Sequence, residues 1–404
     1  MSRSLDVRQL DRRSSGSRPW LGVLVVLVLL VGVVFVGLSL WGGRTPKISL
    51  QPGLPGIGKR TPIAITIDDV SRATRARVEV VQSTAVTNVV EKTFEPRPFW
   101  AFWRSAAPAK LEVMVGTETV KGLRAGTAIV RTTLERSGSL LRTPAPAVAE
   151  ISLPVRLAPP SLEVMSTQHY VRQGGAEVVV YRVGESSQKD GVRFGNRFFP
   201  GYPLPGSKAG ATRERFAFYA VPYDATSAAE AQLVAIDDIG NQTTRSFVDQ
   251  FTPRPVHADT IQVDDAFLAR VVPEILAQSS EVADQGNLVA SYLVINRELR
   301  KKNNAVLVEL AAKSSPEILW NQSFQPMANA AITAAFADRR TYVYQGKAID
   351  QQDHLGFDMA SVERAPINSS NRGKVVLARY FGIYGNAVVV DHGCGLMSLY
   401  GHLS

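Results

Sequence analysis

Residues able to do chemistry are concentrated near the C-terminal end of this chain, where three of its five histidines, His354, His392 and His402, occur. His354 is followed four positions later by Asp358. Imidazole nitrogen and carboxylate oxygen both bind zinc, at about 2.0–2.2 Å. In a straight strand the two side chains would be ~13 Å apart, too far to share an ion, but Gly356 between them allows a bend. The pair is therefore a candidate metal site, although His-x3-Asp alone is a weak pattern.

Short strands and turns should follow this pair. The pattern predicts strands over 374–379, 387–391 and 397–403, with turns at 385–386 and 393–395. In the last of these strands His402 shares one face with Ser398 and Tyr400, while Met397, Leu399 and Leu403 share the other. An apolar face that anchors the strand would present His402 on the opposite side.

Three ordered segments of this region, 346–360, 385–393 and 399–404, resemble the lysostaphin/LytM-type zinc peptidases, family M23. The resemblance implies a compact antiparallel β domain, a bound zinc and hydrolysis of peptide bonds in peptidoglycan. It also implies that His354 and Asp358 are zinc ligands and that His402 is catalytic. His392 falls where the family often has a turn histidine without a metal role.

One feature of the family is absent from these 404 residues. The family takes its third zinc ligand and a second catalytic histidine from a His-x-His segment beyond the Tyr-x-His-Leu motif, and a catalytic zinc site needs three protein ligands. We therefore expect a C-terminally truncated copy of a longer protein, inactive as given, whose full form is a zinc endopeptidase cutting peptidoglycan cross-links. The alternative is a non-catalytic LytM-like envelope scaffold that activates or positions another cell-wall hydrolase.

The N-terminal region predicts an anchor that holds these residues outside the cytoplasm. From Trp20 to Trp41 the chain carries no charge over 22 residues, and such a helix would span ~33 Å. Five arginines precede it, whereas only Arg44 and Lys47 follow closely, so the N-terminus should stay cytoplasmic. We expect an uncleaved signal anchor, single-pass in a bacterial inner membrane, with the C-terminal portion periplasmic. A cleaved signal peptide is the competing interpretation.

The elements between anchor and candidate site indicate a mostly β protein. Alternating segments predict strands over 63–67, 77–81, 111–115, 129–134, 177–183, 215–221 and 232–236. We expect two immunoglobulin-like β modules, then a short helical connector from apolar spacing around Phe267–Ile275 and Leu288–Leu299, ending in the polar run 297–304. The predicted domains are 1–18 (cytoplasmic tail), 19–43 (transmembrane anchor), 44–158 and 159–258 (β modules), 259–325 (connector) and 326–404 (partial, incomplete antiparallel β LytM-type peptidase domain).

The composition of the chain bears on which molecules it is expected to bind. The net charge is +9, but no dense Lys/Arg run with interleaved aromatics occurs, so nucleic acid is not an expected partner. The expected partners are a peptidoglycan peptide, the membrane and possible envelope proteins. The aromatic stretch 94–103 is either a binding platform or core packing. His169, His257 and the single cysteine, Cys394, are expected to have no role in a site.

Overall fold

The computed structural model describes residues 19–40, 44–98, 101, 104, 106–139, 141–207 and 212–404. The chain divides into two compact units, Met1–Ala158 and Pro159–Ser404. Its secondary structure is mostly β, and most strand pairs are antiparallel, which confirms the coarse fold class. The predicted cytoplasmic tail, 1–18, lies outside the described residues.

An apolar helix, α1 (Pro19–Leu40), lies where the sequence predicts the membrane anchor. Its described side chains, at positions 20, 22–37 and 40, are exposed. Within the described part of the chain, no helix has the length and apolarity needed to cross a membrane.

Residues 48–155 form two antiparallel sheets around one core. The strands are β1 (Ile48–Pro52), β2 (Thr61–Ile67), β3 (Ala73–Gln82), β4 (Ala85–Thr93), β5 (Ala109–Val115), β6 (Gly126–Arg136) and β7 (Ala147–Val155). The sheet orders are β1-β2-β5 and β4-β3-β6-β7. Every second residue of β2 is buried because its isoleucines face the shared core. The four strands predicted here are confirmed, and the immunoglobulin-like assignment stays a prediction.

The aromatic stretch 94–103 is described only in part. Phe94 packs against the core of this first module. Positions 99, 100, 102 and 103 lie outside the described residues. The platform and core-packing interpretations of the stretch therefore both stay predictions.

The second β module also has two four-stranded antiparallel sheets. Its strands are β8 (Leu162–Val164), β9 (Tyr170–Arg172), β10 (Ala176–Gly184), β11 (Ser187–Phe194), β12 (Arg197–Pro200), β13 (Tyr202–Pro203), β14 (Thr212–Ala220), β15 (Ala231–Asp237), β16 (Gln242–Ser246) and β17 (Gln250–Thr252). The orders are β13-β14-β10-β8 and β12-β11-β15-β16, and β17 pairs in parallel with β9. The strands predicted over 177–183 and 232–236 are confirmed, and that over 215–221 ends one residue early.

The predicted helical connector is only partly helical. It holds α2 (Asp265–Gln278), α3 (Leu288–Val294), a π-helical segment Ile295–Leu299 and α4 (Arg300–Ala312). Before them lies β18 (Ala258–Val263), which pairs in parallel with β20 (Asp338–Tyr344) and forms a sheet with β21 (Lys347–His354). The prediction that the polar run 297–304 ends the helical part was wrong, because α4 continues to Ala312. Its Asn303 is buried and accepts a hydrogen bond from the Ile383 amide at 3.1 Å.

The end of the chain forms two further sheets. Their strands are β19 (Ala331–Ala334), β22 (Asp358–Ala360), β23 (Lys374–Tyr380), β24 (Asn386–Gly393) and β25 (Leu396–Leu403), with a 3₁₀ turn at Gly382–Tyr384. β19 pairs with β22, and the other three form an antiparallel sheet in sequence order. Apolar residues of α4 pack against that sheet. The three predicted strands are confirmed. Cys394 and Gly395 both have positive φ, as a two-residue type I′ hairpin turn requires.

Candidate metal centre

The bend between β21 and β22 brings the two predicted metal ligands together. His354 is the last residue of β21, and Asp358 is the first of β22. β21 pairs with β20 and β22 with β19, so the chain leaves one sheet and enters the other within the intervening three residues. His354 Nε2 lies 3.2 Å from Asp358 Oδ1. The two side chains therefore share one site, as the bend at Gly356 allows.

The hydrogen bond on the other side of the His354 ring favours one tautomer. Nδ1 lies 3.1 Å from the carbonyl oxygen of Ala335, and a carbonyl can only accept, so Nδ1–H donates. Nε2 is then the nitrogen that faces Asp358, and it could bind a metal once it has lost its proton. This is the usual arrangement of a metal-binding histidine, in which a backbone acceptor fixes the ring.

The distance between these two side chains suits a shared zinc ion. Ligands at about 2.0–2.2 Å in a tetrahedral arrangement are roughly 3.3–3.6 Å from each other. The observed separation of 3.2 Å is close to that value. At Gly356 an added Cβ would lie 3.7 Å from His354 Nε2, so glycine leaves the space beside this atom open. Within the described ranges no group of three His, Cys, Asp or Glu side chains could hold a metal.

Arg340 on β20 is a further member of the site that the sequence did not reveal. Its Nη2 donates to Asp358 Oδ2 at 2.7 Å, while Asp358 Oδ1 faces His354. Burial tends to raise the pKa of Asp358, but the Arg340 hydrogen bond and the nearby charges of His354, Arg340 and His402 hold it below its ordinary value. Asp358 is therefore ionised near neutral pH, the form that binds a metal.

His402 lies near this pair on β25. Its side chain is exposed, and its positive charge, when the ring is protonated, contributes to lowering the pKa of Asp358. The pairing of β24 with β25 is irregular between Val388 and Asn386, opposite Gly401 and His402, and His402 has φ +57°. The simple alternation predicted for His402 is therefore interrupted by a bulge, which sets the direction of its side chain.

The residues before His402 take part in a partly buried hydrogen-bond network. Tyr400 Oη accepts from the Ser370 amide at 2.6 Å, and the Ser370 and Ser398 hydroxyls are 2.8 Å apart. Ser398 Oγ is 2.7 Å from Nε2 of His392, which is fully buried. Nδ1 of His392 lies 2.7 Å from the Arg372 carbonyl oxygen, so both ring nitrogens are engaged. His392 thus holds the sheet together and has no free nitrogen for a metal.

The other candidates lie elsewhere. His169 is buried and 2.8 Å from Ser166 Oγ, and His257 is exposed and 3.4 Å from Asp338 Oδ1. Cys394 is buried in its turn, and burial raises the pKa of its thiol to about 11, so it is protonated near neutral pH. None of these three residues contacts His354 or Asp358 in the hydrogen bonds and ion pairs of the described residues.

Comparisons with curated proteins and with solved structures give no likeness that bears on the site. No curated protein matches the chain. Among solved structures, the SGBP-B protein of the Bacteroides ovatus mixed-linkage glucan utilization locus, in complex with a mixed-linkage heptasaccharide, is 11% identical, with 55% of this chain and 52% of that chain covered at a TM-score of 0.15. An ICAM-5 D1–D4 ectodomain fragment is 13% identical, with 52% and 54% covered at a TM-score of 0.20. The chain thus spans about half the length of each, and neither likeness carries an argument.

A family model gives the informative match. The model for peptidase family M23 matches residues 352–404, a range that includes His354, Asp358 and His402. In this region His354 Nε2 and Asp358 Oδ1 lie 3.2 Å apart, close enough for both to bind one metal ion. The C-terminal end of the chain therefore belongs to a LytM-type domain of peptidase family M23.

Proposed function

We propose that this chain is part of a membrane-anchored, zinc-dependent endopeptidase that hydrolyses peptide cross-links of peptidoglycan. Peptidase family M23 is a peptidoglycan-related family and is generally zinc-dependent. The observation that carries the proposal is the 3.2 Å separation of His354 Nε2 and Asp358 Oδ1, inside the matched region.

His354 and Asp358 would hold the zinc ion. The Ala335 carbonyl accepts from Nδ1 of His354, which leaves Nε2 for the metal, and Arg340 holds Asp358 so that Oδ1 faces that nitrogen. Zinc bound there would supply Lewis-acid chemistry. Two protein ligands hold zinc weakly, so the activity requires a third, which the family takes from a His-x-His segment. These 404 residues contain no such segment, and the proposed activity belongs to a form that has one.

His402 would act on the reacting groups directly. Its exposed imidazole near Asp358 suits proton transfer from the attacking water or a hydrogen bond to negative charge on the peptide oxygen. The proposed role does not require His402 to bind the metal. Its removal should therefore lower turnover without removing zinc.

The rest of the chain would place the site at the wall. The exposed apolar side chains of α1 and the uncharged run from Trp20 to Trp41 support an anchor in a bacterial inner membrane, with the C-terminal portion periplasmic. The sheet orders β1-β2-β5 and β4-β3-β6-β7 support an immunoglobulin-like spacer.

A second candidate function is a LytM-like scaffold that activates or positions another wall hydrolase. One observation favours it. Within the described residues the site has two side chains that could bind zinc, whereas a catalytic zinc site has three protein ligands. Such a protein would bind its envelope partner through the same domain without cleaving peptide bonds.

The test compares zinc content and cell-wall cleavage in a form that carries a His-x-His segment. We expect it to release peptide fragments from purified peptidoglycan, and His354→Ala or Asp358→Ala to lose both zinc and cleavage. His402→Ala should keep zinc and lose about 10²–10⁴-fold in turnover. His257→Ala, which changes an exposed histidine outside the site, is the matched control and should behave as the wild type.

The outcomes separate the two functions. Zinc bound with no fragment released, together with faster cleavage by an added wall hydrolase, would favour the scaffold. Loss of zinc in His402→Ala would contradict the role assigned to this histidine.

A further inference from the structure

A cavity of about 160 Å³ lies where the second β module meets the β20–β21 hairpin, within the second unit. One wall comes from the module and includes Tyr223, Asp224 and Arg254, and the other includes Arg339 and Asp353. An apolar cavity of about 150 Å³ accommodates a molecule the size of benzene, so this one has room for six or so heavy atoms.

The module's wall of the cavity is fixed by the side-chain amide of Gln173. Its Nε2 donates to the Tyr223 carbonyl oxygen at 2.7 Å, and its Oε1 accepts from the Arg254 amide at 2.9 Å. The Tyr223 ring meets Phe336 edge-on at 6.4 Å between centroids. At Gly174, where φ is +76°, a Cβ would lie 2.9 Å from Phe336, so glycine allows this contact. The cavity is therefore formed by packed elements on both sides.

Four charged side chains line the cavity, and two of them form an ion pair with each other. Arg339 Nε is 3.0 Å from Asp353 Oδ1, so these two form an ion pair. Arg254 lies over the Phe336 ring, 5.7 Å from its centroid, and Asp224 is exposed. Among the described residues neither Arg254 nor Asp224 takes part in an ion pair. One positive and one negative side chain are thus available to a ligand.

We propose that this cavity binds the ammonium–carboxylate head group of a small free amino acid. The guanidinium of Arg254 would pair with the carboxylate, and Asp224 with the ammonium. Pro255, Val256 and Ala337 add apolar surface for a side chain the size of a methyl group. A group with six heavy atoms, such as alanine, fits the volume, whereas a sugar ring with its substituents exceeds it.

The site is separate from the metal centre but adjoins it through the backbone. Asp353 and His354 are successive residues of β21, so their side chains point to opposite faces of the strand. Ala337, which lines the cavity, donates its amide to the carbonyl oxygen of His354 at 2.6 Å. The proposal does not depend on zinc or on peptidase activity, and it can be tested in their absence.

The experiment is a calorimetric titration of the 404-residue chain with alanine, in EDTA and in a non-ionic detergent because α1 exposes apolar side chains. We expect saturable binding with a dissociation constant on the order of 1 mM, as small ligands of this size reach. N-acetylalanine lacks the ammonium and alaninamide lacks the carboxylate, so each should bind at least tenfold more weakly.

Variants identify the cavity as the site. Arg254→Gln should weaken alanine binding at least tenfold, and Asp224→Asn should remove the preference for alanine over N-acetylalanine. Arg245→Gln, on β16 and outside the cavity lining, is the control and should bind as the wild type. The proposal is overturned by the absence of saturable binding, by equal affinity for the blocked compounds, or by wild-type affinity in Arg254→Gln. Because EDTA is present throughout, none of these results bears on the zinc proposal.

Discussion

His354 Nε2 and Asp358 Oδ1 lie 3.2 Å apart although the two residues belong to different sheets. The separation is close to that of two ligands of one zinc ion, and the far sides of both groups are held, by the Ala335 carbonyl and by Arg340.

Replacing Arg340 by glutamine should raise the pKa of Asp358 toward its ordinary value in metal-free protein. Burial already acts in that direction, and the variant removes the hydrogen bond and charge that oppose it. Carboxyl NMR titration measures the shift. Arg339→Gln is the matched control, because the neighbouring arginine pairs with Asp353 instead. An unchanged Asp358 pKa in Arg340→Gln would contradict the role given to Arg340.

The lowered pKa of Asp358 also makes the free energy of unfolding depend on pH. A carboxyl whose folded pKa is depressed stabilises the fold above its unfolded pKa of about 4, and this contribution is lost as the pH falls through the lower folded value. Arg340→Gln should therefore show a smaller loss of stability on acidification. Asp358 is 45% exposed, so the difference should stay below about 1 kcal/mol.

Gly393→Ala should destabilise the β24–β25 hairpin. An added Cβ would collide with the Glu317 carbonyl oxygen, and φ at this position is +91°. Together these effects should cost about 2–5 kcal/mol. At Gly395, with φ +81°, a Cβ meets nothing within 4 Å, so Gly395→Ala should cost only about 1–2 kcal/mol. Hydrogen exchange of the hairpin amides compares the two, and equal losses of protection would refute the steric explanation.

Cys394 should react slowly with thiol reagents at neutral pH. Burial raises the pKa of its thiol to about 11, two units above the ordinary value of 9.0, so the reactive thiolate should be about a hundredfold rarer than in an ordinary cysteine. A pH series of alkylation rates checks this, with free cysteine as the reference. Because the pKa of Cys394 is higher in the folded than in the unfolded protein, the protonated thiol favours the folded state. This contribution to the free energy of unfolding is fully present below the unfolded pKa and is lost as the pH rises toward 11. The Cys394→Ala variant should lack that alkaline loss.

The sequence predicted for local reasons that His354 and Asp358 can lie close together. His354 and Asp358 are four residues apart with a glycine between them, so a bend in the chain suffices to bring them together. Arg340 was missed because its pairing with Asp358 depends on how β20, β21 and β22 are arranged, which no short pattern encodes. The parallel pairing of β18 with β20 was missed for the same reason, since it joins residues about 80 positions apart. The bulge at His402 interrupts an alternation that sequence reasoning assumes to be regular.

The topology prediction concerns the arginines before α1. A reporter that works only outside the cytoplasm should be active when fused after residue 50, because the proposed anchor would keep the positive N-terminal tail inside. Replacing the tail's Arg8, Arg12 and Arg13 by glutamate should lower that activity. Reporter activity seen only with a cytoplasmic reporter at the same position would contradict the anchor proposal.

Histidine NMR of the 404-residue chain tests most directly whether His354 and Asp358 bind zinc together, as proposed. On titration with Zn²⁺ we expect the His354 Nε2 resonance to move while its Nδ1 proton stays bonded to Ala335, with binding weak because the ligands number two. Asp358→Asn should weaken this response at least tenfold, and His169 and His392 should not respond. A His354 resonance unaffected by zinc, or an equal response in Asp358→Asn, would contradict the account.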